Sequence, residues 1–348
     1  MSREYNLAVF IGRFQPAHNA HVEIIKQSLE LADNVLVIIG SSFQPRTYKN
    51  PFTQYERTTM LQRGCAEAGV DLARVFFDYN TDTRYDDGAW LVRTQKIVNT
   101  YAKIYDDPKV VVVGHKKEDD PSTYYLDMFP QWGRVDHQLI EPLDATHIRD
   151  FYFKDIPNLN YLNGVVPLSV REYLDEWRQT QYFKDVVQER KFAEMYKEQF
   201  SHLRYAPIFV TTDAVVVQNA HVLLVKRGAY PGKGLWAFPG GFVDAEGDKS
   251  VQDAMVRELR EETKIDLPEK VIVGNIEKTR VFDAPGRSSR GRTITHAFYV
   301  TLPDGNKLPK VKGSDDAVKA QWVPIADVKS EDCFEDHYEI LQCLTGGK

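Results

Sequence analysis

Cysteine is scarce in this 348-residue chain, and the three present, Cys65, Cys333 and Cys343, are odd in number and far from any C-x-x-C spacing. That excludes a disulfide framework and a zinc knuckle, and it points to a reducing cytoplasm. Long apolar runs are missing as well. Nothing approaches the roughly 18 residues of a membrane span, and the strand-like stretch after Asn6 is no signal peptide, so a soluble, unprocessed protein is expected. Positive charge is in deficit: 44 Lys+Arg face 50 Asp+Glu, a net charge of −6. The chain therefore has no broad attraction for nucleic acid, although local basic clusters remain able to hold small phosphates. There is no internal repeat and no low-complexity tract, and Pro303 to Gly313 is only a polar loop.

What is present is enough chain for two cores, given the length and 43% hydrophobic composition. Leu7 to Ile11, Val35 to Ile39 and Val110 to Val113 are short apolar runs ending at Gly12, Gly40 and Gly114. Such runs read as parallel strands covered on both faces. Between the first two, Val22, Ile25, Leu29 and Ala32 recur at helical spacing, giving a β-α-β unit in an α/β domain. Ligands of such sheets sit outside the carboxyl ends of the strands, where Gly12 lies. Pro167 to about Phe200 reads as two helices interrupted near Thr180 to Tyr182. The boundary is expected between Ser201 and Pro207, giving domains 1–200 and 205–348, the second opening with a hairpin of Ile208 to Val217 and His221 to Val225.

The run Gly12-Arg13-Phe14-Gln15-Pro16-Ala17-His18-Asn19-Ala20-His21 has the ingredients for holding a nucleoside triphosphate. Gly12 permits a tight turn near phosphate, Arg13 bridges phosphate oxygens, and Pro16 stiffens the approach to a helix starting near His18. His18 and His21, three apart, face one side of its first turn. A bare H-x-x-H matches often by chance as a surface pair or stray metal site; the preceding GRFQP makes this one specific. Together with Asn50-Pro51-Phe52-Thr53 and Glu56-Arg57, it resembles the archaeal-type nicotinamide mononucleotide adenylyltransferases of the HxGH nucleotidylyltransferase superfamily, over about residues 5 to 175. Pantetheine-phosphate relatives typically read GxFDP instead.

The resemblance implies a Rossmann-like parallel-sheet domain that transfers adenylyl from ATP to nicotinamide mononucleotide, giving NAD. It implies His18 and His21 on the ATP phosphates, Arg13 on the transferring group, and Gly12, Phe14, Gln15 and Arg57 with the substrates. It also implies Trp90 stacked on the nicotinamide ring, with Asp87 at its amide. Asp144-Ala145-Thr146-His147-Ile148-Arg149 resembles the family's SGTxxR run, so Thr146 and Arg149 would hold the triphosphate. Ala20 replaces the usual glycine of HxGH, and Asp144 replaces a serine near phosphate, where a carboxylate must turn away or bind magnesium.

Glu258, Glu261 and Glu262 fall at i, i+3 and i+4, on one helical face, while Val256 and Leu259 point elsewhere. Acidic helix faces are usually just solvated. Here Arg257 precedes the acids, Gly240-Gly241 opens a loop ahead and Trp236-Ala237-Phe238-Pro239 leads in. The ensemble resembles the Nudix box, GX5EX7REUXEEXGU, and the resemblance runs from about Tyr205 to the C-terminus. It implies an α/β/α sandwich that hydrolyses a nucleoside diphosphate derivative, with Mg²⁺ or Mn²⁺ on Glu258, Glu261 and Glu262, Glu261 also catalytic, and Arg257 orienting a glutamate. Fifteen residues separate Gly241 from Arg257 where the pattern has thirteen, which leaves Glu246 or Asp248 as the isolated acid, and Lys264 stands where the closing glycine belongs. Val281 to Arg287, with Arg290-Gly291-Arg292, looks like a substrate loop in which Arg287 and Arg292 grip the ligand, although a basic surface loop is an equal reading. Asp315-Asp316 before Trp322 resembles a segment that supplies or neighbours a catalytic acid.

Two active sites in one chain are therefore expected, one making NAD and the other cleaving ADP-ribose to AMP and ribose 5-phosphate. A Nudix domain acting on another nucleoside diphosphate derivative, or one binding ADP-ribose silently, stays open. A DNA-binding regulator is disfavoured, because no basic recognition helix is present. The resemblance implies a homo-oligomer by analogy only.

Overall fold

The computed structural model describes residues 3–114, 126–137, 145–154, 158–313 and 317–347. Residues 1–187 and 188–348 form two compact units. In the first, strands β1 (Tyr5–Gly12), β2 (Ala32–Ile39), β3 (Val75–Tyr79), β4 (Val110–Gly114) and β5 (Gly133–Asp136) form one parallel sheet in the order β3-β2-β1-β4-β5. The continuous apolar runs are explained by two cores. Ala8, Phe10, Val35, Val37, Ile39, Val111 and Val113 face one, with Ile25 of α1 (Asn19–Leu31) and Met60 and Leu61 of α2 (Gln54–Glu67). Leu7, Val9, Ile11, Leu36, Ile38, Val110 and Val112 face the other, with Val98 of α3 (Asp87–Ala102). Each fully buried side chain of this kind contributes about 1.5 to 3 kcal/mol.

The chain runs outward from central β1 to β2 and β3, then returns to β4 on the other side of β1. That reversal opens a crevice at the carboxyl ends of β1 and β4, where nucleotides bind in open sheets. Helix α4 (Ala145–Tyr152) follows β5, and α5 (Leu168–Trp177) and α6 (Gln181–Glu198) come after it. The two units divide within α6, not in the 201–207 segment. Rings explain the difference: Phe192, Tyr196 and Phe200 run in contact to Phe209, so the later part of the helix packs with the strand that carries Phe209.

In the second unit, β6 (Ile208–Gln218), β7 (His221–Arg227), β10 (Ile276–Phe282), β11 (Arg292–Thr301) and β12 (Ala317–Pro324) form a mixed sheet in the order β10-β11-β6-β7-β12. The expected hairpin is β6 and β7. Short β8 (Trp236–Ala237) pairs with β7, and β9 (Gly240–Phe242) with β6, so the chain changes partner strand between Ala237 and Gly240. Helix α7 (Val251–Thr263) is capped by Ser250, whose Oγ accepts from Asp253 N at 3.1 Å. Its Met255, Val256 and Leu259 bury against Ala214, Val216 and Leu223, while Glu258 and Glu262 lie toward β9. Helices α8 (Glu269–Gly274) and α9 (His337–Thr345) complete the unit.

Candidate active sites

At the end of β1, the Gly12 carbonyl accepts from Gly40 N at 2.8 Å, tying the ends of β1 and β2 together. The loop after β1 is held from inside the protein. Phe14 is 2% exposed in a left-handed conformation (φ 53°), and its ring meets Phe10 and His21 edge-on. Gln15 is clamped to one peptide: its Nε2 donates to Phe52 O at 2.8 Å, and Phe52 N donates to its Oε1 at 3.0 Å. Arg57, 1% exposed, donates from Nη1 to the carbonyls of Arg13 (2.6 Å) and Gly40 (2.7 Å), from Nη2 to Ser41 (3.1 Å) and from Nε to Thr53 (3.2 Å). Burial pushes its pKa down to about 9. The side chains of Phe14, Gln15 and Arg57 are therefore buried and shape the loop from behind, because strand-end carbonyls need buried donors.

Of the polar side chains here, Arg13 is exposed, His21 is partly exposed and His18 is 8% exposed. His18 caps α1, and the two imidazoles stack at 3.7 Å between centroids. His18 N donates to His21 Nδ1 at 3.2 Å. In the neutral His21 ring the proton then resides on Nε2. The amino end of α1 adds its dipole. Arg149, 4% exposed, reaches over from α4: Nη1 donates to Gln15 O at 2.6 Å and Nη2 to Thr146 Oγ1 at 3.2 Å. Thr146 and Arg149 are thus brought against the Gly12–His21 loop, while Asp144 lies outside the described residues.

Asp87 and Trp90 open α3 on the same edge of the sheet. Asp87 is exposed, and Trp90 is half-buried against Phe129 with centroids 6.1 Å apart. Asn80, at the end of β3, anchors this turn: its Nδ2 donates to Thr94 Oγ1, which donates to Trp90 O, each at 2.9 Å. Asp82 binds Ser41 through Ser41 N (3.1 Å) and Oγ (2.6 Å). Sequence reasoning missed Asn80, Asp82 and Ser41; the polar residues directly following apolar strands were their signal.

In the second unit the acidic face of α7 is organised by Arg257. Its Nε and Nη2 bind Asp248 Oδ1 and Oδ2 (2.9 and 2.8 Å), and Nη1 reaches Glu258 Oε1 (2.8 Å) and Glu261 Oε2 (3.0 Å). Asp248, not Glu246, is therefore the acid that meets the box arginine. Glu262 is outside the reach of Arg257 and accepts from Gly240 N through Oε2 at 3.0 Å. A Cβ at Gly240 would lie 2.1 Å from the backbone carbonyl Thr212 O, so this turn requires glycine there, while one at Gly241 would displace the Glu258 carboxylate, 2.5 Å away.

Burial raises the Glu258 carboxyl above its ordinary value and pushes Glu262 up to about 8, and the two acids repel one another. Desolvated, mutually repelling carboxylates on one face are the donor chemistry of a hard divalent cation. Among the described residues, no three His, Cys, Asp or Glu side chains already stand in coordinating positions; Arg257 engages Glu258 and Glu261.

Arg287 is not a surface gripping residue. It forms a bidentate pair with Asp336 at 2.8 Å, both side chains buried, and so ties the 283–291 loop to the start of α9. Arg292 is partly exposed at the start of β11, 3.7 Å from Asp283. Asp315 and Asp316 lie outside the described residues.

Residues 9–151 match the Cytidylyltransferase-like family and residues 208–344 the NUDIX domain family. The chain is 32% identical to the nicotinamide/nicotinic acid mononucleotide adenylyltransferase of Acinetobacter baylyi over 53% of this chain and 93% of that protein. It is 33% identical to the nicotinamide-nucleotide adenylyltransferase of Ignicoccus hospitalis over 49% of this chain and 91% of that protein. Among solved structures, it resembles a bifunctional NMN adenylyltransferase/ADP ribose pyrophosphatase from Francisella tularensis complexed with AMP and Mn ion, at 33% identity and TM-score 0.88, covering 98% of this chain and 99% of that one. Folds and sites together define a two-site nucleotide enzyme, a nucleotidylyltransferase unit followed by a Nudix unit. The chain belongs to the bifunctional NMN adenylyltransferase/ADP-ribose pyrophosphatase family.

Proposed function

We propose that this protein makes NAD and pyrophosphate from ATP and nicotinamide mononucleotide in its first unit, and hydrolyses ADP-ribose to AMP and ribose 5-phosphate in its second. A single alignment that runs through both sites over nearly the whole chain carries the reading. In the first reaction a phosphate oxygen of the mononucleotide attacks the α-phosphorus of ATP. No protein nucleophile is needed; alignment and cationic donors suffice. His18 and His21 supply N–H donors, Arg13 meets the transferring group, Thr146 and Arg149 hold the triphosphate end, and Asp87 and Trp90 receive the nicotinamide.

In the second reaction Glu258, Glu261 and Glu262 would hold Mg²⁺ or Mn²⁺, which when bound activates water and neutralises the bridging phosphates. Arg257 keeps Glu258 and Glu261 on one side of α7, and Gly240 keeps Glu262 against the loop. Arg292 is the remaining candidate for the ligand's phosphate or terminal ribose. A second reading, binding of ADP-ribose without cleavage, is favoured by the engagement of Glu258 and Glu261 with Arg257. Incubation with ATP plus nicotinamide mononucleotide and, separately, with ADP-ribose, each with Mg²⁺ or Mn²⁺, tests both. NAD and AMP are the expected products, and tight ADP-ribose binding without AMP would favour the silent site.

Among the described residues, no helix is long and apolar enough to cross a membrane.

A further inference from the structure

Between β8 and β9 the chain leaves one partner strand for another, and the peptide N–H of Phe238 falls outside both ladders. A buried N–H without an acceptor is costly, and Phe238 is 2% exposed. Its acceptor is the ring nitrogen Nδ1 of His337, at 2.9 Å. His337 is 6% exposed and lies flat on the Phe238 ring, 5.0 Å between centroids and 19° between planes. With Nδ1 accepting, Nε2 bears the proton of the neutral ring, and it faces Asp213 Oδ1 at 3.9 Å. Asp213, also buried, accepts from Thr295 Oγ1 at 2.6 Å and pairs across β6–β9 with Gly240. Ala214 N fixes the next carbonyl, Pro239 O, at 2.8 Å. The segment ends at Gly240 N, which donates to Glu262.

We propose that His337, backed by Asp213 and Thr295, is a positioning residue for the hydrolase site: it locks the Phe238–Gly240 turn whose last N–H aims the Glu262 carboxylate at the cation. An apolar side chain would fill this space without desolvating an imidazole beside a carboxylate, so packing alone does not account for the pair. The paired Asp336 and Arg287 hold the start of α9, and with it His337, in place.

The inference rests on the assignment of Glu262 to the cation, and its test is chosen to separate the two. His337→Asn places an amide oxygen where Nδ1 stands, His337→Gln places it where Nε2 stands, and His337→Phe keeps the stacked ring without an acceptor. Each full-length variant is titrated with Mn²⁺ alone, reading free Mn²⁺ by electron paramagnetic resonance, and assayed for ADP-ribose hydrolysis, with NAD synthesis as the folding control. The Phe and Gln variants should bind Mn²⁺ about 10- to 100-fold more weakly, with a kcat loss of that order, a KM for ADP-ribose within about threefold and NAD synthesis unchanged. His337→Asn should stay within about threefold of the parent in each quantity. Parent-like Mn²⁺ affinity and kcat in the Phe and Gln variants, or an Asn variant as impaired as Gln, would overturn the proposal. If His337→Phe fails to fold, the Asn and Gln pair decides. If the parent binds Mn²⁺ but releases no AMP, the substrate reading fails while the Mn²⁺ titrations still decide the role of His337.

Discussion

The two sites handle charge in opposite ways. In the first unit the buried cations are consumed by the fold: Arg57 commits its donors to four backbone carbonyls, and Arg149 braces the same loop through Gln15 O. What remains is Arg13, which is exposed, beside a stacked histidine pair that is buried at His18 and partly exposed at His21. In the second unit the acids outnumber their partner. One side chain, Arg257, serves Asp248, Glu258 and Glu261, and Glu262 is left desolvated with the Gly240 N–H as donor. A site for phosphates can be completed by the protein's own donors, whereas a site for a cation is completed only by the cation.

Glu261→Gln with Glu262→Gln separates the sites most sharply. Metal-dependent AMP release should fall on the order of 10³-fold with NAD synthesis intact, and coupled loss of both activities would indicate a structural defect instead. His18→Ala is the mirror experiment. NAD synthesis should drop by about 10² to 10³, with AMP release unchanged and the fold retained, and undiminished turnover would remove His18 from the site. Arg57→Met probes the scaffold: the first unit should lose on the order of 3 kcal/mol of stability as buried carbonyls lose their donors. Stability at the parent value with a raised KM would return Arg57 to the ligand.

The second site makes a pH prediction. Burial holds the Glu262 carboxyl at about 8, above its ordinary 4.5, so the folded cation-free protein keeps a proton that the unfolded chain has released. The stability this contributes is complete below about 4.5 and is lost as pH rises through about 8. Melting temperature without metal should decline across that window, and Mn²⁺ or Glu262→Gln should flatten the decline. The smallest effect belongs to Lys264, which ends α7 at φ 44° where a glycine fits without strain. Lys264→Gly should stabilise by about 0.5 to 1 kcal/mol in denaturant melts and leave both reactions unchanged.

Much of this architecture is legible in the sequence where one residue type serves one purpose. Leu7 to Ile11 reads as a strand because both faces are buried, and the histidine spacing reads as one helical face. Strands β3 and β5 are not legible: most of Val75–Tyr79 is only half-buried, and Gly133–Asp136 carries two charges. Arg57 and Arg287 look like ligand contacts because an arginine near a motif carries no mark of whether its partner is a substrate or a carbonyl or carboxylate distant in the chain. Asp248 is obscured by the two-residue insertion, and only its pairing with Arg257 in space identifies it. His337 gives no signal, since its partners Phe238 and Asp213 lie about 100 residues or more before it in the chain.

The most direct test is a crystal grown with Mn²⁺, ADP-ribose and nicotinamide mononucleotide, with an anomalous difference map at the manganese edge. The account predicts manganese bonded to the carboxylates of Glu258, Glu261 and Glu262 beside the ADP-ribose phosphates, and the mononucleotide phosphate near His18, His21 and Arg13. Manganese bound elsewhere, with Glu258 and Glu261 still paired to Arg257, would contradict it.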